Sequence, residues 1–196
     1  MRSQEQVRVF WEWFSRQAPR FGSKFENAKL LRQLDDLVTG LGDFAWEVGP
    51  GEEAENAFVL SPGGDRELLK ETRDIVRAAP VVPGWEFHSA KPPKPWEPHF
   101  EIQNPEGAPF GVDATTWRCT LLKYPDGTRE VVVEAPNLDP LPAEYQRWAA
   151  EIALDSLLGE RRRLEVVDEV TVVAKLSPKE SAAAFPIVDV RDRIGS

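Results

Sequence analysis

The chain has 196 residues, a net charge of −9 and a single cysteine, Cys119. That length can bury a substantial core, while one thiol excludes a disulfide framework and a zinc site built of several thiolates. The acidic balance argues against general nucleic-acid binding, which needs cations to displace the counterions around phosphates, and suits a basic partner instead. No apolar run approaches the ~20 residues that span a bilayer, and no long apolar core follows Arg2 and Arg8, so the expectation is a cytoplasmic protein without a secretory signal.

From about Ser3 to Gln17, Val7, Phe10, Trp11 and Phe14 form one helical stripe, with Glu5, Arg8, Glu12 and Arg16 on the other side. Trp13 lies off the stripe and is therefore a candidate contact for something outside the helix. A second helix, about Phe25 to Thr39, presents Leu30, Leu31, Leu34, Leu37 and Val38 as a buried face, and Gly40 and Gly42 end it.

Phe44 to Val48 is apolar and acidic by turns and predicts a strand; Gly49-Pro50-Gly51 and the acids Glu52, Glu53 and Glu55 break it. Ala57 to Leu60 returns as the next strand. Asp65 precedes a helix bearing Leu68, Leu69, Thr72, Ile75, Val76 and Ala79, and Pro80 and Pro83 end it. Gly84 to Ser89 alternates again, completing a strand, strand, helix, strand unit.

Four prolines between Lys91 and Pro98 predict a stiff, extended connector, because proline fixes φ and lacks an amide proton. His99 to Gln103 and Ala108 to Val112 follow as a small hairpin around Asn104-Pro105-Glu106-Gly107. The first pattern then returns: Thr116 to Tyr124 and Glu130 to Ala135 as strands about Pro125-Asp126-Gly127-Thr128, a helix from Pro142 to Leu158 stopped by Gly159, and a closing strand over Leu164 to Ala174. Arg161, Arg162 and Arg163 are read as offsetting the negative end of that helix. Ser177-Pro178-Lys179-Glu180 matches a capping box opening a short helix; Ile187 to Val190 is read as an edge strand and Arg191 to Ser196 as a loose tail.

The expected fold is α+β: one globule, residues 1–196, with a largely antiparallel sheet from two ββαβ-like units (43–90 and 115–176) and the N-terminal helix pair packed on it. A connector and hairpin (91–114) lie between the units, and a helix and tail (177–196) follow.

Three constellations bear on chemistry. Glu86 and His88 share a strand face, as do Glu97, His99 and Glu101 if that segment is extended; two imidazoles and a carboxylate suffice for a divalent metal, though the spacing matches no established zinc pattern. Cys119 alternates with Trp117 and Leu121 toward the core and is read as a small buried hydrophobe. Asp35, Asp36, Asp43, Glu47, Glu52, Glu53 and Glu55, in polar, turn-rich sequence around the first strand, are read as a solvated binding edge for a basic protein rather than a catalytic acid pair. No P-loop, dinucleotide-binding glycine turn, nucleophile elbow or His-Glu-x-x-His helix is present.

The chain also resembles uncharacterised bacterial α+β proteins, on Trp46-Glu47-Val48-Gly49-Pro50-Gly51, Leu60 to Leu68 and Pro83-Gly84-Trp85-Glu86-Phe87-His88. The resemblance implies a bacterial source and no site residues. The expected role is non-enzymatic binding of another protein, in the manner of an acidic immunity protein inhibiting a basic partner. Glu52, Glu53, Glu55, Trp13 and Trp96 are the candidate contacts, and no cofactor is called for. The competing expectation is a metal-dependent hydrolase using His88, His99 and a neighbouring carboxylate from Glu97 or Glu101. Self-association through an exposed sheet edge, giving a homodimer, is compatible with the binding reading.

Overall fold

The computed structural model describes residues 4–22 and 24–194. Ser3, where the first helix was expected to begin, and the last two residues of the expected tail lie outside that range. The fold is α+β, and the chain divides into two compact units, Met1–Lys91 and Pro92–Ser196.

In the first unit, helices α1 (Gln4–Gln17) and α2 (Ala28–Leu41) precede strands β1 (Ala45–Pro50) and β2 (Asn56–Ser61), helix α3 (Leu69–Arg77) and strand β3 (Trp85–His88). The apolar stripes foreseen for α1 and α2 are the buried ones: Phe10, Trp11, Phe14, Leu30, Leu34 and Val38 pack with Phe58 and Leu60 of β2 and Ile75 of α3. Asn27 caps α2, its side chain accepting the Leu30 amide at 3.1 Å. The rings of Phe14, Phe58 and Trp85 interlock, with Phe14 edge-on to Trp85 at 4.9 Å between centroids. The sheet runs β1-β2-β3, with β1 antiparallel and β3 parallel to β2. β1 extends through Gly49 and Pro50, two residues past Val48, where the strand was expected to end. Proline is tolerated there because β1 is paired on one side only and an edge strand does not need every amide.

The second unit opens with the hairpin β4 (His99–Gln103) and β5 (Pro109–Asp113), whose turn is held by Asn104 Oδ1 accepting the amides of Glu106 and Ala108. Strands β6 (Arg118–Lys123) and β7 (Arg129–Glu134), helices α4 (Ala143–Leu158) and α5 (Glu160–Val166) and strand β8 (Glu169–Val173) follow. β6 is antiparallel and β8 parallel to β7, the same connectivity as β1, β2 and β3, so the repeat of element order is a repeat of topology. Each ββαβ unit makes its own sheet. The core of this unit gathers Trp117, Cys119, Val131, Val133, Leu138 and Leu154, among others.

Two sequence expectations are corrected here. Helix α5 takes in residues 164–166, the first three of the expected closing strand; Gly159 at φ 79° turns the chain before it and Arg163, 4% exposed, reaches back to the Asp155 carboxylate at 2.5 Å. Arg163, one of the three arginines read as offsetting the negative end of α4, forms a buried ion pair with Asp155 in the last turn of that helix. At the C-terminus the capping box is present in full: Ser177 Oγ accepts the Glu180 amide and Glu180 accepts the Ser177 amide, opening helix α6 (Pro178–Ala183). The edge strand is β9 (Phe185–Pro186), paired with β6; Ile187–Asp189 is a 3-10 turn and Val190–Ile194 is helix α7, with Ile187 and Val190 buried.

Candidate functional site

The acidic turn between β1 and β2 is organised by a residue far from it in sequence. Register places Glu86 of β3 opposite Ala57, beside the turn, and its carboxylate accepts the backbone amides of Glu52 (3.0 Å), Glu53 (2.7 Å) and Ala54 (2.8 Å). His88, two residues along the same strand face, lies 3.0 Å from Glu86 Oε1. The His88 hydrogen bond and the three amides together hold the Glu86 carboxyl down at about 2, because each favours the ionised form. With its amides turned inward on one carboxylate, the turn keeps the side chains of Glu52, Glu53 and Glu55 exposed.

Two further contacts fix the place of this turn. The Asn56 amide donates to the Gly84 carbonyl at 2.9 Å, and a Cβ on Gly84 would lie 3.8 Å from Glu55 Oε2. The acidic turn and the loop from α3 to β3 therefore meet at one end of the sheet. That loop carries Val81, which is 97% exposed.

On the same unit, α1 and α3 are tied by the buried indole of Trp11, whose Nε1 donates to the Ile75 carbonyl at 2.8 Å. The two helices border a groove of about 1310 Å³ with Val7, Trp11, Ile75, Ala78 and Pro80 as its apolar lining. Its rims are charged: Arg8, Glu12 and Arg16 on α1, Glu71 and Asp74 on α3. Each rim looks like a solvated helix face in the sequence, so the groove is legible only once the helices are side by side.

Each histidine of the metal expectation has a carboxylate beside it within its own unit. His88 belongs to the first unit and is engaged with Glu86; His99 belongs to the second and lies 3.4 Å from Asp113 across the β4–β5 hairpin. His99 and Glu101 do share the exposed face of β4, as alternation predicts, and Glu97 is exposed just before it. Among the described residues no three His, Cys, Asp or Glu side chains are grouped so as to hold a metal ion.

Comparison with protein-family models, curated proteins and solved structures finds no match.

Of the two spare tryptophans, Trp13 is half-buried and meets Phe21 edge-on at 6.5 Å, which explains its place off the main stripe. Trp96 is half-buried against the core of the second unit, while Pro93, Lys94 and Pro95 of the connector are exposed. The connector is anchored by the Lys94 amide, which donates to the Ser156 carbonyl at 2.8 Å. Cys119 is fully buried, and burial, with the Asp189 charge, pushes its thiol up to about 12. No helix among the described residues is long and apolar enough to cross a membrane.

Proposed function

We propose that the protein is a non-enzymatic binding protein that engages a basic protein in the bacterial cytoplasm, inhibiting it in the manner of an acidic immunity protein, with the β1–β2 turn as the contact. The supporting observation is the capture of three successive turn amides by Glu86. A flexible acidic loop would lose conformational freedom on binding, whereas this turn already holds Glu52, Glu53 and Glu55 facing outward and meets a partner with little further ordering. The net charge of −9 adds long-range attraction for a cationic surface, which raises the association rate.

The test is a tagged pull-down from a bacterial lysate, run in parallel with wild-type protein and with Glu52→Lys, Glu53→Lys and Glu55→Lys combined. A stoichiometric basic protein held by the first and lost by the second, at unchanged thermal melting, supports the reading. Equal capture by both removes the turn as the contact.

A further inference from the structure

We propose that the groove between α1 and α3 seats an amphipathic α-helix of the partner protein. This rests on the reading that the partner is basic, and adds where a segment of its chain lies.

The first argument is dimension. On α1 the lining runs from Gln4 to Arg16, a length of roughly 18 Å at 1.5 Å per residue, and at about 1310 Å³ the groove exceeds the ~300–1,000 Å³ usual for small-molecule pockets. The second is periodicity. Gln4, Val7, Arg8, Trp11, Ser15 and Arg16 on one side, and Glu71, Asp74, Ile75 and Ala78 on the other, recur at three- and four-residue steps, so two helix faces flank one trough. A third helix laid in such a trough buries its own i, i+3, i+4, i+7 stripe, the geometry of helix-in-groove recognition.

The third is charge. On α1 the Arg8 guanidinium is clasped by Glu5 and Glu12 of its own helix, and Arg16 Nε donates to the Glu12 carbonyl. The opposite rim carries the carboxylates of Glu71 and Asp74, both exposed, with Asp74 3.9 Å from the Arg77 guanidinium of its own helix, so the lining is acidic on this side without either carboxylate standing alone. The occupant is therefore a helix with an apolar stripe flanked by Lys or Arg on the side facing α3. The lining reaches Ala78 and Pro80, and the loop bearing exposed Val81 runs on from there to Gly84, whose carbonyl accepts the Asn56 amide beside the acidic turn.

The experiment uses a fluorescent amphipathic Leu/Lys helical peptide of about 12 residues, matched to the trough length, and a scrambled peptide of equal composition whose leucines form no stripe. Binding to the whole protein is followed by anisotropy and by amide chemical shifts of isotope-labelled protein. The amphipathic peptide should bind at least about tenfold more tightly than the scrambled one, with shifts along α1 and α3. Ala78→Arg, whose side chain is exposed and whose backbone cap on α3 the substitution keeps, should weaken it by about tenfold or more while the melting temperature holds. Equal binding of the two peptides, shifts confined to residues 52–55, or no saturable binding of either overturns the groove. In the pull-down, partner capture that survives Ala78→Arg but not the charge-reversed turn also removes the groove and leaves the turn. The opposite pattern removes the turn and keeps the groove.

Discussion

Gly51 and Glu86 occupy adjoining space: a Cβ on Gly51 would stand 2.9 Å from Glu86 Cδ and 2.6 Å from the Ala54 carbonyl oxygen. The residue before the acidic turn must lack a side chain because the carboxylate that organises the turn sits where that side chain would be. Gly51→Ala should therefore destabilise the protein by about 1–3 kcal/mol, since the backbone at Ala54 cannot rotate aside as a side chain would. Glu86→Ala should cost a similar amount by releasing three amides and His88. Urea unfolding of both variants measures this; an unchanged midpoint for either would show that the turn holds without the carboxylate.

Acid should act on the same contact. The Glu86 carboxyl titrates near 2 in the folded state against an ordinary value of 4.5, so the native state binds fewer protons than the unfolded chain between those values. Its stabilising contribution is complete above about 4.5 and falls away as the pH drops toward 2. Glu86→Gln, which cannot titrate, should show a flatter decline of stability over that window than wild type. Superimposable pH profiles would assign the acid sensitivity to other carboxylates.

The Cys119 thiol, buried and raised to about 12, should resist a disulfide reagent in the native state near neutral pH and react at once in denaturant. The kinetics of thiol release report this directly, and prompt native labelling would mean that β6 opens easily.

Trp11 joins α1 to α3 at the floor of the groove. Trp11→Phe removes the indole N–H and leaves the Ile75 carbonyl without that donor in a site where Trp11 is 2% exposed, so a loss of about 2–4 kcal/mol is expected, with the groove loosened. Thermal melting and amide exchange along α3 would measure it; normal exchange at Ile75 and its neighbours would indicate that packing alone joins the helices.

Where signals are local, the sequence is a good guide. The stripe of Phe10, Trp11 and Phe14 and the leucines of α2 follow from helical period alone, and the Ser177/Glu180 capping box needs only four consecutive residues. Strand alternation correctly turned Cys119 inward and set Glu86 beside His88. The errors lie where distant groups decide. Glu160 to Glu165 are good helix formers, a local preference that the valine-rich run after them obscured, and Gly159 turning the chain with Arg163 meeting Asp155 sets this helix off from α4. Ile187 to Val190 has strand-like composition but winds into a turn and helix that bury Ile187 and Val190.

By itself, then, the sequence determined the α+β class, both helices of the N-terminal pair and the two ββαβ runs, because each depends on a period of two or 3.6 residues and on short-range turn chemistry. Only the tertiary structure decided that each run closes its own sheet, that the histidines fall in separate units, that Glu86 holds the acidic turn, and that α1 and α3 flank a trough. These depend on contacts between residues tens of positions apart. Hydrophobic pattern says which face is buried but not which partner buries it, and a polar face gives no sign of the second helix that will stand beside it.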